Sequence, residues 1–279
     1  MEIISGRELS SEIRDELKRE NELEGIRPVL AIINVGDDKA NLLYIGLKQN
    51  AMSHIGGQAE VAMLDWKVSR HELLAKIEAF NHHPGVHGIL LQLPLSPELE
   101  PHREELLAAI RPDKDVDGFT PFNRGALLGG RPYYVSCVAQ AAMEMIERCR
   151  GEVKGCTALL AGDSFDLIQP LTLLLMRAGA EVTVLPEWRE DIVTDCQVVV
   201  VEKGGWNCVR PEQLSVDCLL IDNGYYFDPT GKLSGNVDKD TMLGSELRGW
   251  LVPNPGGLGP LLVTRLVRSV HQAARSIKD

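Results

Sequence analysis

From one end of the chain to the other, strand-like apolar runs alternate with stretches of helical pattern. Parallel neighbours in a sheet can be joined only through a crossover, so this alternation calls for mostly parallel sheets covered by helices. The fold class is therefore α/β. A chain of 279 residues accommodates two ordinary domains and a core that needs no disulfide or metal staple. Strands are predicted at RPVLAIINVG, GQAEVAML and GVHGILLQLPL, with a helix at about 38 to 56 between the first two and another through REELLAAI. Ser5 with Glu8, and Ser69 with Glu72, fit the S-x-x-E capping box, which starts helices near residues 6 and 70. The polar, Gly/Pro-rich stretch RPDKDVDGFTPFNRGALLGGRPYY then reads as irregular and carries the domain boundary. Beyond it, VAQAAMEMIERC reads as a helix. The strand TALLAG, the helix LTLLLMRAG and the strand EVTVLP form a β-α-β unit of Rossmann type, which QVVVV and DCLLID extend. The final apolar-striped helix, LLVTRLVRSVHQAARSI, is expected to pack back on the first domain, giving domains of 1–120 plus 258–279 and of 121–257.

Composition excludes several classes of partner. Net charge is −11 with the acids scattered, so no broad nucleic-acid face is expected, and any anionic ligand must be met by a few local cations. No apolar run approaches the roughly 18 residues that span a bilayer. The N-terminus reads as a charged amphipathic helix rather than an export signal, so a soluble, cytoplasmic protein is expected. Cys137, Cys149, Cys156, Cys196, Cys208 and Cys218 include no C-x-x-C pair, which suits reduced thiols. His82, His83 and His87 cluster in a Pro-Gly turn without accompanying Cys or carboxylate spacing. They read as a solvated loop, and no metal is expected.

Four places carry candidate chemistry. Tyr44 and Lys48 are four apart on one helix, so their side chains share a face. A desolvated lysine there could exchange a proton near neutral pH. Taken alone, such a pair is usually surface packing. Gln92 emerges from GILL just before Pro94, at the strand end where open α/β sheets place ligands, and its amide can both donate and accept. DKDVDGF supplies Asp115 and Asp117 with a turning glycine, but no calcium-loop spacing follows. VPNPGGLGP ends the pattern before the last helix.

The order Y-x-x-x-K, LLQLPL, PDKDVDGF, Rossmann unit, PNPGGLGP resembles the methylenetetrahydrofolate dehydrogenase/cyclohydrolase family, known as FolD in bacteria. The resemblance covers nearly the whole chain. It implies a folate-binding catalytic domain over 1–120 plus 258–279 and a Rossmann-like nucleotide domain over 121–257. It also implies Lys48 as the catalytic lysine, oriented by Tyr44 and Gln92, with Asp117 binding the pterin-like head of a tetrahydrofolate derivative. Leu93 and Pro94 would line the substrate site. Pro255, Gly256, Gly257 and Gly259 would close against the same cleft, where bare backbone permits close approach. A homodimer is the family's usual assembly. Asn41 stands three residues before the tyrosine, where the family often has serine, and it can still hydrogen-bond.

Departures concentrate on the nucleotide side. The family turn reads approximately G-R-S-x-x-V-G-x-P, whereas here Gly162, Ser164 and Pro170 remain, Asp163 replaces the arginine and Ile168 the second glycine. Asp163 and Asp166 would repel a phosphate, and a β-branched Ile168 would obstruct the approach to a pyrophosphate. Glu187 follows the next strand where the family usually presents serine and a cation for the 2′-phosphate of NADP. An acid there favours the ribose of NAD. The segment from Glu187 to Gln197 is short for the helix the family inserts, and P-C-T-P survives only as Tyr134-Val135-Ser136-Cys137. The expectation is a methenyltetrahydrofolate cyclohydrolase whose dehydrogenase activity is weak, NAD-shifted or lost. The alternatives are a fully bifunctional enzyme and a non-catalytic folate-binding or regulatory paralogue.

Overall fold

The computed structural model describes residues 1–278 and divides into two compact units. One comprises Met1–Ser10 with Val138–Leu262, and the other Ser11–Cys137 with the chain from Val263 onward. Each is built on its own parallel sheet, so the expected α/β class is realised in both.

The chain opens with β1 (Glu2–Ile3) and α1 (Gly6–Glu24), then runs through β2 (Val29–Val35), α2 (Lys39–His54), β3 (Gln58–Leu64), α3 (Arg70–His82), β4 (Gly88–Leu91), α4 (Arg103–Ala108) and α5 (Pro121–Gly129). Strands β3, β2 and β4 form a three-stranded parallel sheet in that order. β4 is buried throughout and β2 nearly so, whereas the edge strand β3 is partly exposed. Ile33, Ile77, Phe80, Ile89 and Leu106 share the core of this unit. The loop after α4 lies along β4, where the Ile89 N–H donates to Lys114 O at 2.7 Å. The chain end of β4 and the residues around Asp117 are thereby held side by side.

The reciprocal capping box at Ser69 and Glu72 forms at the start of α3 as its spacing predicts. At α1, Ser5 Oγ accepts from the Arg7 N–H at 3.2 Å. The stretch expected to be irregular contains α5, a nine-residue helix. Its punctuation is ordinary: Thr120 Oγ1 accepts from the Asn123 N–H, Pro121 sits in the first turn, and Gly130 ends the helix at φ 76°. The polar, Gly/Pro-rich composition concealed it. Of the histidine cluster, His82 and His83 are exposed, but His87 is half-buried and its Nδ1 accepts from the Val29 N–H at 3.0 Å.

From α6 (Cys137–Arg150) the chain continues through β5 (Thr157–Ala161), α7 (Ile168–Arg177), β6 (Glu181–Leu185), β7 (Val198–Val201), β8 (Leu219–Asp222), the hairpin β9 (Tyr226–Phe227) and β10 (Leu233–Ser234), α8 (Lys239–Leu243), β11 (Trp250–Val252) and α9 (Leu258–Lys278). The six-stranded sheet has the order β1-β11-β8-β7-β5-β6, with every pairing parallel. After β6 the chain returns to the other side of β5. That reversal sets the carboxyl ends of β5 and β7 side by side as a topological switch point, where open α/β sheets bind ligands. No helix forms between Leu185 and Val198. Instead Trp188 and Ile192 enter the core, and the buried Gln213 fastens the connection. Its Nε2 donates to the carbonyls of Arg189, Glu190 and Ile192, and its Oε1 accepts from Trp188 Nε1 at 3.3 Å.

Candidate active site

Lys48 lies in the middle of α2 and is 5% exposed. A lysine so far from water needs a partner for its head group. Nζ donates to Gln92 Oε1 at 2.7 Å, across 44 residues of sequence. Gln92 follows the last residue of β4, and its own N–H donates to Ile33 O at 2.8 Å, which holds it at the end of the sheet. The Gln92 amide donates in turn to Leu93 O at 2.9 Å and to Asn41 Oδ1 at 3.3 Å. Asn41 Nδ2 donates to Pro94 O at 3.4 Å. Asn41 thus supplies the hydrogen bond its polar side chain allowed for. Leu93 is half-buried and Pro94 exposed, and the peptide between them is cis. Tyr44 stands one helical turn before Lys48 and is half-buried.

Burial holds the Lys48 amine below the ordinary lysine range, with Asp117 and then Cys137 pulling the other way. Asp117 is half-buried beside Lys48 and Cys137. Cys137 is fully buried; desolvation and the neighbouring Asp117 push its thiol well up, so it remains protonated. The loop that presents Asp117 is pinned by Asp115, whose carboxylate accepts from the N–H groups of Phe119 and Thr120 at 3.0 and 2.8 Å and from Asn123 Nδ2 at 2.8 Å. The two acids of DKDVDGF therefore differ in role: Asp115 is a buried anchor and Asp117 the one left toward the lysine. A buried amine held toward neutrality next to a carboxylate can take and return a proton.

The second glycine loop has its own constraints. Gly256 has φ 107°, a conformation that favours glycine. At Gly257 a side chain would meet Pro253 O at 2.5 Å, so packing requires a bare Cα there. Gly259 faces open space. Pro255 follows a cis peptide, and its carbonyl accepts from Lys239 Nζ at 3.2 Å.

At the switch point, Gly162 follows β5 with φ 152°. Ile168 is the first residue of α7, directly after the turn. Its side chain is 1% exposed, with Cγ1 2.9 Å from where a Gly162 Cβ would lie. Sequence comparison gives a residue's position but not the direction of its side chain. Beside the same glycine lies Glu202, the residue after β7, whose Oε2 accepts from the Ser164 N–H at 3.3 Å. Ser164 Oγ accepts from the N–H groups of Leu167 and Ile168, both at 3.2 Å. Asp163 is exposed and paired with Lys203, and Glu187 is exposed two residues past β6. Sequence reasoning missed Glu202, although an acid directly after four buried valines marks a strand's carboxyl end.

Comparison with known proteins finds two family matches. Residues 4–117 match the family described as tetrahydrofolate dehydrogenase/cyclohydrolase, catalytic domain, and residues 136–278 match its NAD(P)-binding domain. The chain is 45% identical over 275 residues to a Syntrophomonas wolfei protein called bifunctional protein FolD 1, covering 99% of both. Among solved structures it resembles a bifunctional methylenetetrahydrofolate dehydrogenase/cyclohydrolase from Campylobacter jejuni, with a TM-score of 0.91, 30% identity and 99% of both chains covered. It also resembles the Trypanosoma brucei methylenetetrahydrofolate dehydrogenase-cyclohydrolase, described in complex with NADP and an inhibitor, at a TM-score of 0.90 and 30% identity over 99% of this chain and 98% of that one.

Proposed function

Because the chain belongs to the tetrahydrofolate dehydrogenase/cyclohydrolase family, we propose that it interconverts one-carbon derivatives of tetrahydrofolate as a bifunctional enzyme, with Lys48 as the proton-transfer group of the water step. Full-length similarity to bifunctional relatives favours both activities over the expectation that the dehydrogenase is weak, NAD-shifted or lost. The observation that carries the role of Lys48 is its buried Nζ, 2.7 Å from Gln92 Oε1.

In the cyclohydrolase reaction water adds to the one-carbon centre of the methenyl cation. Neutral Lys48 takes a proton from that water as the C–O bond forms. The resulting ammonium is steadied by Gln92 Oε1 and Asp117, and it returns the proton to the ring nitrogen as one C–N bond breaks, while the hydroxyl of the adduct releases its own proton to solvent to leave the formyl product. Gln92 accepts from the lysine in either charge state, so it keeps the amine in place through both transfers. Tyr44, Leu93, Pro94 and Asp117 are assigned to substrate contact.

The family's second domain binds NAD(P), and the cofactor accepts a hydride when bound. As arranged here, Glu202 holds the Ser164 amide beside Gly162, so a pyrophosphate could take that amide only by displacing the carboxylate. Glu187, past β6, favours NAD over NADP. Homodimer formation is proposed through β6, an outer strand of its sheet, where Val184 is 45% exposed. Light scattering is expected to give twice the 30.7 kDa chain mass, and a monomer would count against it.

The water step is tested by following the near-ultraviolet absorbance of methenyltetrahydrofolate with and without protein. A base is active when deprotonated, so the buffer-corrected rate is expected to rise with pH. Because burial depresses the lysine, the midpoint should fall below the ordinary 10.5. A rate that is flat or falls with pH would rule out Lys48 as the base.

A further inference from the structure

The dinucleotide turn contains a charge that the family resemblance did not point to. Glu202 follows β7 and Gly162 follows β5, so the two flank the switch point at which a ligand of this sheet would enter. Helix N-termini take phosphates because their first amides lack partners and carry partial positive charge. Here those amides are engaged from within. Ser164 receives Leu167 and Ile168 through Oγ and the Gln169 N–H through its carbonyl, while the Ser164 N–H goes to Glu202. The Glu202 side chain also fills the space beside Gly162, since a Cβ on that glycine would lie 2.6 Å from its Oε2.

We infer that Glu202 is an affinity-setting residue of the cofactor site, an internal anion that holds the amide a dinucleotide phosphate would take and repels the phosphate itself. This rests on the second domain binding a dinucleotide, as proposed above. Burial pushes the Glu202 carboxyl up, and Asp166 and Asp163 add to it, so the carboxylate is itself held at a cost. Lys203 offsets it only in part, because its ammonium is hydrogen-bonded to Asp163 and shared with Glu187 as well. Cofactor must displace the carboxylate, and both NAD and NADP meet the same barrier at the diphosphate they share.

Glu202→Gln tests the charge while keeping an oxygen for the Ser164 N–H, and Glu202→Ala removes the side chain altogether. Calorimetric titration of the wild type and both variants with NAD⁺ and with NADP⁺ reads affinity without turnover, with circular dichroism to verify folding. Glu202→Gln is expected to tighten both dinucleotides by at least about tenfold, since like charges a few ångströms apart repel by more than that ratio requires. Glu202→Ala should move in the same direction. Equal affinities in wild type and Glu202→Gln, or weaker binding in both variants, would overturn the inference and assign Glu202 a supporting role in the turn. If no folded protein bound either dinucleotide, the cofactor reading itself would fall with it.

Discussion

Replacing Lys48 by methionine is expected to bring methenyltetrahydrofolate hydrolysis down to the rate in buffer. Methionine keeps most of the length and apolar stem of lysine but cannot exchange a proton, so what is lost is the base. General acid–base assistance by one positioned group is worth roughly 10² to 10⁴-fold. The same substitution should leave the fold intact or more stable. It relieves the protein of a buried amine, although Gln92 Oε1 loses the donor now at 2.7 Å. Activity and stability therefore part company, which a merely structural lysine would not allow. Absorbance assays paired with urea unfolding separate the cases, and wild-type turnover by Lys48→Met would remove the lysine from the mechanism.

Gly118→Ala should be the most damaging change around Asp117. Gly118 has φ 72°, where an alanine is strained by about 1–2 kcal/mol. Its added Cβ would also lie 2.6 Å from the Val135 carbonyl carbon and 2.7 Å from Ser136 N, and forcing a side chain into packed backbone costs about 1–3 kcal/mol more. A loss of about 2–5 kcal/mol in unfolding free energy is the expected sum. The protein that still folds should also be slower, because the Ser136 segment can relieve the contact only by moving the loop that presents Asp117. Gly231→Ala is the control: φ is 80° there, but nothing lies within 4 Å of the new Cβ. Equal losses at the two glycines would show that backbone strain alone acts at Gly118.

The alternating pattern made the sheets legible because buried parallel strands read as short apolar runs, and VLAIINV, GILL, TALLA and VVVV all became strands. Lys48 and Gln92 were each unremarkable in isolation. Only the family order joined them, and in space the join comes from β4 ending beside the Lys48 face of α2. Asp115 could not be told from Asp117 by sequence, because the difference lies in which carboxylate meets the amides of Phe119 and Thr120. Glu202 escaped for a topological reason. Its neighbour in space is the turn after β5, and that adjacency depends on the chain reversing direction after β6, which no local pattern records. The helix α5 was missed for the opposite reason, since its start and stop signals were all present in a composition that reads as loop.

The Gln92 amide has one further consequence. Both of its N–H directions are fixed, one by the Leu93 carbonyl and one by Asn41, so Oε1 faces Lys48 and the amide cannot flip without losing them. In the proposed water step one N–H of a neutral Lys48 is given to Gln92, so its lone pair points away from that amide. A flat methenyl cation has two faces, and a base locked to one side serves only one of them. The tetrahedral adduct is thus formed in a single hand, a stereochemical choice erased in the achiral formyl group that follows.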